Sequence, residues 1–97
     1  MRKKNTESIN EVLQQFFSEN ELFRRKLGEN RILNGWKDLL GTTIASYTTS
    51  LYIRNSVLHV QVSSSALRSE LIINRQNLIK RLNQHAGIDV ITDMVVR

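Results

Sequence analysis

Two segments of alternating apolar and polar residues, separated by a two-residue break, restrict the fold of this chain more than any other feature. The apolar positions are Leu51, Ile53, Leu58, Val60 and Val62. Alternation with a period of two is typical of strands that bury one face, so the segments predict a β-hairpin. Asn55 tolerates the positive φ that a two-residue turn needs, whereas Ser56 does so poorly.

A turn at these two residues determines which side chains face each other across the hairpin. The expected pairs are Ile53 with Leu58 and Leu51 with Val60 on the buried side, and Tyr52 with His59 and Ser50 with Gln61 on the other. One face of the hairpin is therefore apolar, and the other carries an aromatic ring beside an imidazole.

Helical periodicity precedes the hairpin. An apolar stripe predicts a helix from about residue 6 to residue 17. The stripe consists of Ile9, Val12, Leu13, Phe16 and Phe17. The Ser-x-x-Glu spacing at Ser18 predicts the start of a second helix, which Gly28 interrupts. Asn30 can cap a further helical segment that ends at Gly41, so residues 19–40 form either one bent helix or two short ones.

Four threonines mark a change after that helical region. They are Thr42, Thr43, Thr48 and Thr49. Because β-branched residues are poor helix formers, the chain is expected to turn toward strand structure from Thr42 onward.

The C-terminal third predicts one long helix followed by a strand. Ser63–Ser65 can cap a helix that runs to about His85 and ends at Gly87, with leucines along one stripe. Ile88–Val96 then reads as a strand, and a strand, helix, strand order implies a right-handed crossover. The expected fold is an α+β domain: N-terminal helices, a hairpin, a long helix and a final strand in a three-stranded sheet packed on helices.

Length and composition limit the functional class. The chain has 97 residues, which suffices for one domain, expected over residues 6–97 behind a basic tail at residues 1–5. No apolar run approaches the roughly 18 residues of a membrane span, and no cysteine is present, so a cytoplasmic protein is expected. The formal charge of +5 favours polyanions or an acidic protein face as partners.

No residue pattern predicts catalysis, a metal or a cofactor. His59 and His85 lie on different elements, and the serines at 63–65 lack a surrounding nucleophile motif. Asp89 and Asp93 are four apart on the predicted strand and would share a face, an arrangement more typical of edge charges than of a catalytic pair. The four glycines never approach a phosphate-loop spacing. The chain is therefore expected not to be an enzyme.

Basic residues carry the stronger signal. The predicted nucleic-acid-binding residues are Lys3, Lys4, Arg24, Arg25, Lys26, Arg54, Arg68, Arg75, Lys80 and Arg81. Arg68 and Arg75 project toward the leucine stripe, so they should lie at its edge, extend outward, mark a helix break or mark a docking site. Tyr52 and His59 are the predicted partner-binding pair, and Tyr52 would also suit an aromatic platform beside phosphate-binding arginines. Trp36 is expected to be a core anchor.

Three stretches together resemble a known family. They are W-K-D-L-L-G-T-T-I-A at 36–45, L-Y-I-R-N-S-V-L-H-V-Q-V-S-S-S-A-L at 51–67, and E-L at 70–71, with Thr48 between the first two. The pattern is similar to that of the DciA family of small bacterial proteins, from about residue 16 to residue 97. The resemblance implies a fold similar to the K-homology domain, binding to a DnaB-type replicative helicase and to DNA, including single strands. The Gly-x-x-Gly loop of K-homology domains is absent here, so cationic side chains would have to make any nucleic-acid contact.

Three functions stay open at this point. The chain is an adaptor for a DnaB-type helicase, a stand-alone single-stranded nucleic-acid-binding module, or a scaffold that self-associates through a sheet edge or a helix. An enzyme ranks last, because no nucleophile, base and oxyanion-binding group can be assembled from these residues.

Overall fold

A computed structural model describes residues 20–97. Within this range the elements are α1 (Glu21–Leu40), α2 (Thr42–Tyr47), β1 (Thr48–Arg54), β2 (Val57–Val62), α3 (Ser65–Ile73), α4 (Arg75–Ala86) and β3 (Asp93–Val96). The strands form one mixed sheet packed against helices, which confirms the predicted α+β class. The helix predicted for residues 6–17 lies outside the described residues.

The sheet has the strand order β1-β2-β3. Strands β1 and β2 are antiparallel, and all four cross-strand pairs predicted from the sequence are present. Strands β2 and β3 are parallel, with Val57 opposite Asp93 and Val60 opposite Val96. A period of two therefore sufficed to predict the hairpin register.

The hairpin turn holds a serine in a backbone conformation that favours glycine. Asn55 has φ 52° and Ser56 has φ 64°, so both turn residues are left-handed, as a type I′ turn requires. Ser56 is held from two directions: its hydroxyl accepts a hydrogen bond from Arg25 Nη1 at 2.6 Å, and its carbonyl accepts one from the Thr92 N–H at 2.8 Å. Two hydrogen bonds from distant segments thus hold Ser56 in a backbone conformation that serine adopts poorly.

Helix α1 is continuous from Glu21 to Leu40, which decides between the one-helix and two-helix alternatives in favour of one helix. Its N-cap is Asn20, whose Oδ1 accepts a hydrogen bond from the Phe23 N–H at 2.9 Å, so the described helix does not begin at Ser18. Gly28 and Gly35 are both buried within it. A Cβ at Gly28 would collide with Val90, and one at Gly35 would collide with the His85 ring. These glycines permit close packing of α1; they do not end it.

The expected change to strand structure at Thr42 is wrong, because Thr42–Tyr47 forms the short helix α2. Contacts between distant residues override the weak helix propensity of the threonines. The Trp36 indole N–H donates to Thr48 Oγ1 at 3.0 Å, and that hydroxyl donates to the Ile44 carbonyl at 2.8 Å. Ile44 and Ala45 also pack against the core. The end of α2 is therefore joined to α1 through the start of β1.

The predicted long helix is two helices, α3 and α4, that meet at Asn74. Asn74 has φ −93° and ψ 11°, and its side-chain amide donates to the Glu70 carbonyl at 3.0 Å. An asparagine side chain that bonds to nearby backbone in this way competes with a continuous helix. On either side of the break, Leu71 and Leu78 are both buried. The helix does end at Gly87, as predicted, and a φ of 84° places this glycine in the left-handed conformation typical of a C-terminal cap.

Strand β3 is shorter than predicted, since Ile88–Thr92 lies outside it. Val90 and Ile91 are adjacent yet both buried, which strict alternation along a strand does not allow. The Asn83 side chain satisfies this irregular backbone: its Oδ1 accepts from the Val90 and Ile91 N–H groups, and its amide donates to the Ile91 carbonyl. A side chain on α4 thereby replaces the strand ladder that the sequence suggested.

The core lies between one face of the sheet and the helices. Its buried side chains are Ile32, Trp36, Leu58, Val60, Val62, Leu71, Leu78, Ile79, Leu82, Ala86, Val90, Ile91 and Met94. Trp36 is 4% exposed, as expected of a core anchor. None of the helices in residues 20–97 has the length and apolar character needed to cross a membrane.

The turn generates a stability prediction. Replacing Ser56 with Gly should raise the free energy of unfolding by about 0.5–1 kcal/mol, because glycine adopts positive φ without steric cost. Ser56→Ala is the matched control, since it removes the same hydroxyl acceptor from Arg25 but keeps a Cβ, and it should lower stability. Urea denaturation measures both. Equal effects of the two substitutions would show that backbone strain at residue 56 is unimportant.

Candidate nucleic-acid and partner interface

The sheet has a second face that points away from the helical core. Strand alternation and register arrange its side chains in three rows across β1, β2 and β3. The rows are Arg54, Val57 and Asp93; Tyr52, His59 and Val95; and Ser50, Gln61 and Arg97. We call this surface the open face. Its central row carries the two rings that the sequence singled out.

The rings of Tyr52 and His59 stack in parallel. Their centroids are 4.6 Å apart and their planes differ by 7°. Tyr52 is 47% exposed, so the stack contributes a large aromatic surface to solvent. His59 is partly buried, and within residues 20–97 its Nδ1 is buried without a hydrogen-bond partner. The pair is thus a stacked aromatic surface that contains an unsatisfied polar atom.

A shallow depression of about 150 Å³ adjoins the stack. It is lined by Ser50, Tyr52, His59, Val60, Gln61, Val95 and Arg97. A hydroxyl, an amide and a guanidinium therefore surround the imidazole. The depression offers several hydrogen-bonding groups within one small surface.

Three of the predicted arginines gather at the turn end of the sheet. Arg54 is the last residue of β1, and Arg25 reaches the turn through its hydrogen bond to Ser56. Arg75 Nε lies 3.9 Å from Asp93 Oδ1, and Asp93 pairs with Val57 at the same end. Arg75 is the first residue of α4, so it marks the helix break, which was one of its predicted positions.

The other predicted cations have different environments. Arg24 pairs with Glu21 at 3.2 Å, and Lys26 lies 3.9 Å from Glu29, so carboxylates offset both charges. Lys80 and Arg54 are exposed and form no side-chain ion pair or hydrogen bond with the described residues. Lys3 and Lys4 lie outside those residues.

Arg68 and Arg81 contribute to the packing of the domain. Arg68 Nη2 donates to the Val62 carbonyl at 3.1 Å, and Arg81 Nη2 donates to the Leu39 carbonyl at 3.1 Å. Arg31, which the sequence reasoning missed, does the same across the fold: its Nη1 donates to the Ala86 carbonyl at 2.9 Å. No local pattern could have revealed a contact between residues 55 positions apart.

The positive charge belongs to the described domain. Residues 20–97 contain 11 Lys and Arg and 6 Asp and Glu, a difference of +5, whereas residues 1–19 contain three of each sign and sum to zero. The field that attracts polyanions therefore originates from the domain that carries the open face.

The acidic and histidine candidates do not form a site. Asp89 lies in the loop before β3, so the expected pairing of Asp89 with Asp93 on one strand face is wrong. His85 packs over Gly35, and His59 lies on the open face. Within the described part of the chain, no three His, Cys, Asp or Glu side chains are grouped so as to hold a metal ion.

Two larger grooves lie among the helices. One, of about 490 Å³, runs between the end of α1 with α2 and the two helices α3 and α4, and leucines form much of its lining. The other, of about 920 Å³, lies between α4 and the loop that precedes β3, with Lys80 at its margin. Neither contains an aromatic ring, so neither repeats the arrangement on the open face.

The family model described as "Dna[CI] antecedent, DciA" matches residues 8–96, nearly the whole chain. The chain belongs to the DciA family. This result confirms the resemblance predicted from residues 36–71, and it associates the chain with DNA replication and loading of the DnaB-type helicase. The DciA family is not a known family of enzymes. Comparison with curated proteins and with solved structures gives no significant match.

Cations that donate to a main-chain carbonyl and exposed cations without a described partner differ in their predicted effect on stability. Arg81→Gln should lower the free energy of unfolding by about 1 kcal/mol, because it removes a charged donor from a carbonyl at the C-terminal end of α1. Lys80→Gln removes the same charge from the next residue in α4 and should change stability by less than about 0.5 kcal/mol. Urea denaturation of both variants measures the difference, and similar values for the two would contradict this assignment.

Proposed function

We propose that this DciA-family domain binds a DnaB-type replicative helicase and single-stranded DNA and helps the helicase engage DNA during replication. The match of the family model over residues 8–96 is the observation that carries the proposal. In this role the domain acts by binding alone, and its side chains catalyse no reaction. It works in the cytoplasm, where replication of a bacterial chromosome takes place.

The charge of the domain supports the DNA-binding part. Residues 20–97 carry the whole net charge of +5, which draws a polyanion and steers its approach. Arg54 and Lys80 suit phosphate contacts best, because both are exposed and no described carboxylate pairs with them. Arg25, whose described partner is the uncharged Ser56 hydroxyl, would add to the same field, and Arg75 would add less because Asp93 lies 3.9 Å from it. Lys3 and Lys4 would add only local positive charge, since residues 1–19 sum to zero.

The order of elements supports a second candidate, a single-stranded nucleic-acid-binding module that acts without a helicase. Strand β2, two helices and the parallel strand β3 are compatible with a K-homology-like fold. The four glycines, at positions 28, 35, 41 and 87, provide no Gly-x-x-Gly loop. Binding in this case would again depend on cationic and aromatic side chains.

A titration against the cognate helicase separates the two candidates. We expect the full chain to bind the purified DnaB-type helicase with a dissociation constant of about 10 μM or tighter in isothermal titration calorimetry. Nuclease treatment of both proteins is the control, because it removes any nucleic acid that bridges them. If no heat of binding is detected at tens of micromolar, the helicase role is contradicted and the stand-alone module is favoured.

DNA binding should depend steeply on salt. Each phosphate neutralised on a single strand contributes about 0.7 to the slope of log affinity against log salt. Arg54→Gln should weaken binding to an oligonucleotide and lower that slope by about this amount. Lys37→Gln, an exposed cation on α1 outside the predicted site, is the charge-matched control and should change the slope less. Fluorescence anisotropy measures both, and affinity independent of salt would refute the electrostatic mechanism.

A further inference from the structure

We propose that the open face of the sheet is a stacking site for an unpaired base of single-stranded nucleic acid, with Tyr52 as the platform and Arg54 as the phosphate contact. This inference rests on the DNA-binding part of the proposed function and gives that function a location. It also specifies the partner of Tyr52 and His59, whose type the sequence did not determine.

The ring geometry leaves one face of Tyr52 available. His59, on the adjacent strand β2, covers the tyrosine face that is turned toward the centre of the sheet. The other face of Tyr52 is turned toward the free side of β1, which is an edge strand in the order β1-β2-β3. The side chain is 47% exposed. A base that stacks there extends an existing two-ring stack, and no ring has to reorient before binding.

Polar groups for the edge of a base lie beside the stack. Ser50, Gln61 and Arg97 line the adjoining depression. Of these groups, Ser50 lies on the edge strand β1 with Tyr52, so its hydroxyl can donate to or accept from the exposed edge of an unpaired base stacked there.

Arg54 is placed for the backbone of the same nucleotide. It lies two residues after Tyr52 on the same face of β1, about 7 Å along the strand. Asp93 is the carboxylate on this face of the described sheet; it lies on β3, two strands away from Arg54, and Arg75 lies 3.9 Å from it. An anionic backbone that follows the β1 edge therefore approaches Arg54 at some distance from the nearest fixed negative charge of the face.

The composition of the open face favours a nucleic acid over a protein segment. Protein interfaces use tyrosine and arginine too, but they also bury aliphatic side chains, and the aliphatic residues of this face are two half-buried valines, Val57 and Val95. The large exposed aliphatic side chains of the described chain, among them Leu22, Ile72 and Ile73, lie on helices. Aromatic stacking flanked by arginines is typical of surfaces that bind single strands.

A comparison of oligo-dT with an abasic oligonucleotide distinguishes binding by base stacking from binding by charge alone. We expect the full wild-type chain to bind a fluorescein-labelled oligo-dT about 10-fold more tightly than an abasic oligonucleotide of equal length, measured by anisotropy. Tyr52→Val should weaken oligo-dT binding about 10-fold and leave abasic binding unchanged. Tyr52→Phe, which keeps the ring, should retain the preference for oligo-dT. Arg54→Gln should weaken the binding of both oligonucleotides by similar factors.

The proposal is overturned if Tyr52→Val binds oligo-dT as the wild type does, or if the wild type binds the two oligonucleotides equally. It is also overturned if Tyr52→Val retains oligo-dT binding but loses the helicase, because the face would then be a protein contact. Tyr52→Thr, another strand-forming substitution at this exposed position, provides a second variant if thermal melting shows that Tyr52→Val is unfolded. Failure of the proposed function is distinguishable, since the wild type would then bind neither oligonucleotide nor helicase.

Discussion

Strands β2 and β3 bury one face against the helices, and the placement of the other elements depends on this one-sided burial. Leu58, Val60 and Met94 are at most 2% exposed on the core side. A shift of one residue in the register would exchange them with the residues of the open face. The domain would then lose the free energy gained by burying several apolar side chains. The stacking of Tyr52 on His59 is therefore a consequence of core packing: the rings lie together because their neighbours in sequence are buried on the other side.

The sequence predicted those features that follow from local periodicity. Two-residue alternation determined the hairpin register, and Gly87 ended α4 as expected of a left-handed cap. Features that depend on distant contacts were not predictable. Gly28 looked like a helix break because its propensity is poor, yet it lies in α1 where a Cβ would strike Val90. Val90 is 62 positions away, and nothing in the local pattern indicates the contact.

The break at Asn74 and the short strand β3 have related causes. Both asparagines involved, Asn74 and Asn83, use their side-chain amides to satisfy backbone groups that regular structure would otherwise satisfy. Asn83 bonds to Val90 and Ile91, and so stabilises a loop in which consecutive apolar residues are both buried. From its apolar residues alone such a segment looks like a strand, because the sequence pattern does not show the hydrogen-bonding partner on another element.

The candidate site was predicted in composition but not in arrangement. The sequence identified ten cations, and the structure describes eight of them: Arg68 and Arg81 donate to main-chain carbonyls, Arg24, Lys26 and Arg75 have carboxylate neighbours, Arg25 donates to the Ser56 hydroxyl, and Arg54 and Lys80 are exposed without such partners. Net charge attracts a polyanion to the whole domain. It does not determine where a single strand lies, and in our proposal the stacked rings beside Arg54 determine that position.

Titration of the full chain with single-stranded oligo-dT, followed by backbone amide chemical shifts, would locate the DNA-binding surface. We expect the largest shifts to cluster on the open face, at Ser50–Arg54, His59 and Val95, and the leucine-lined groove beside Leu39 and Leu67 to change little. Shifts concentrated on α3 and α4 with none at Tyr52 would contradict this expectation.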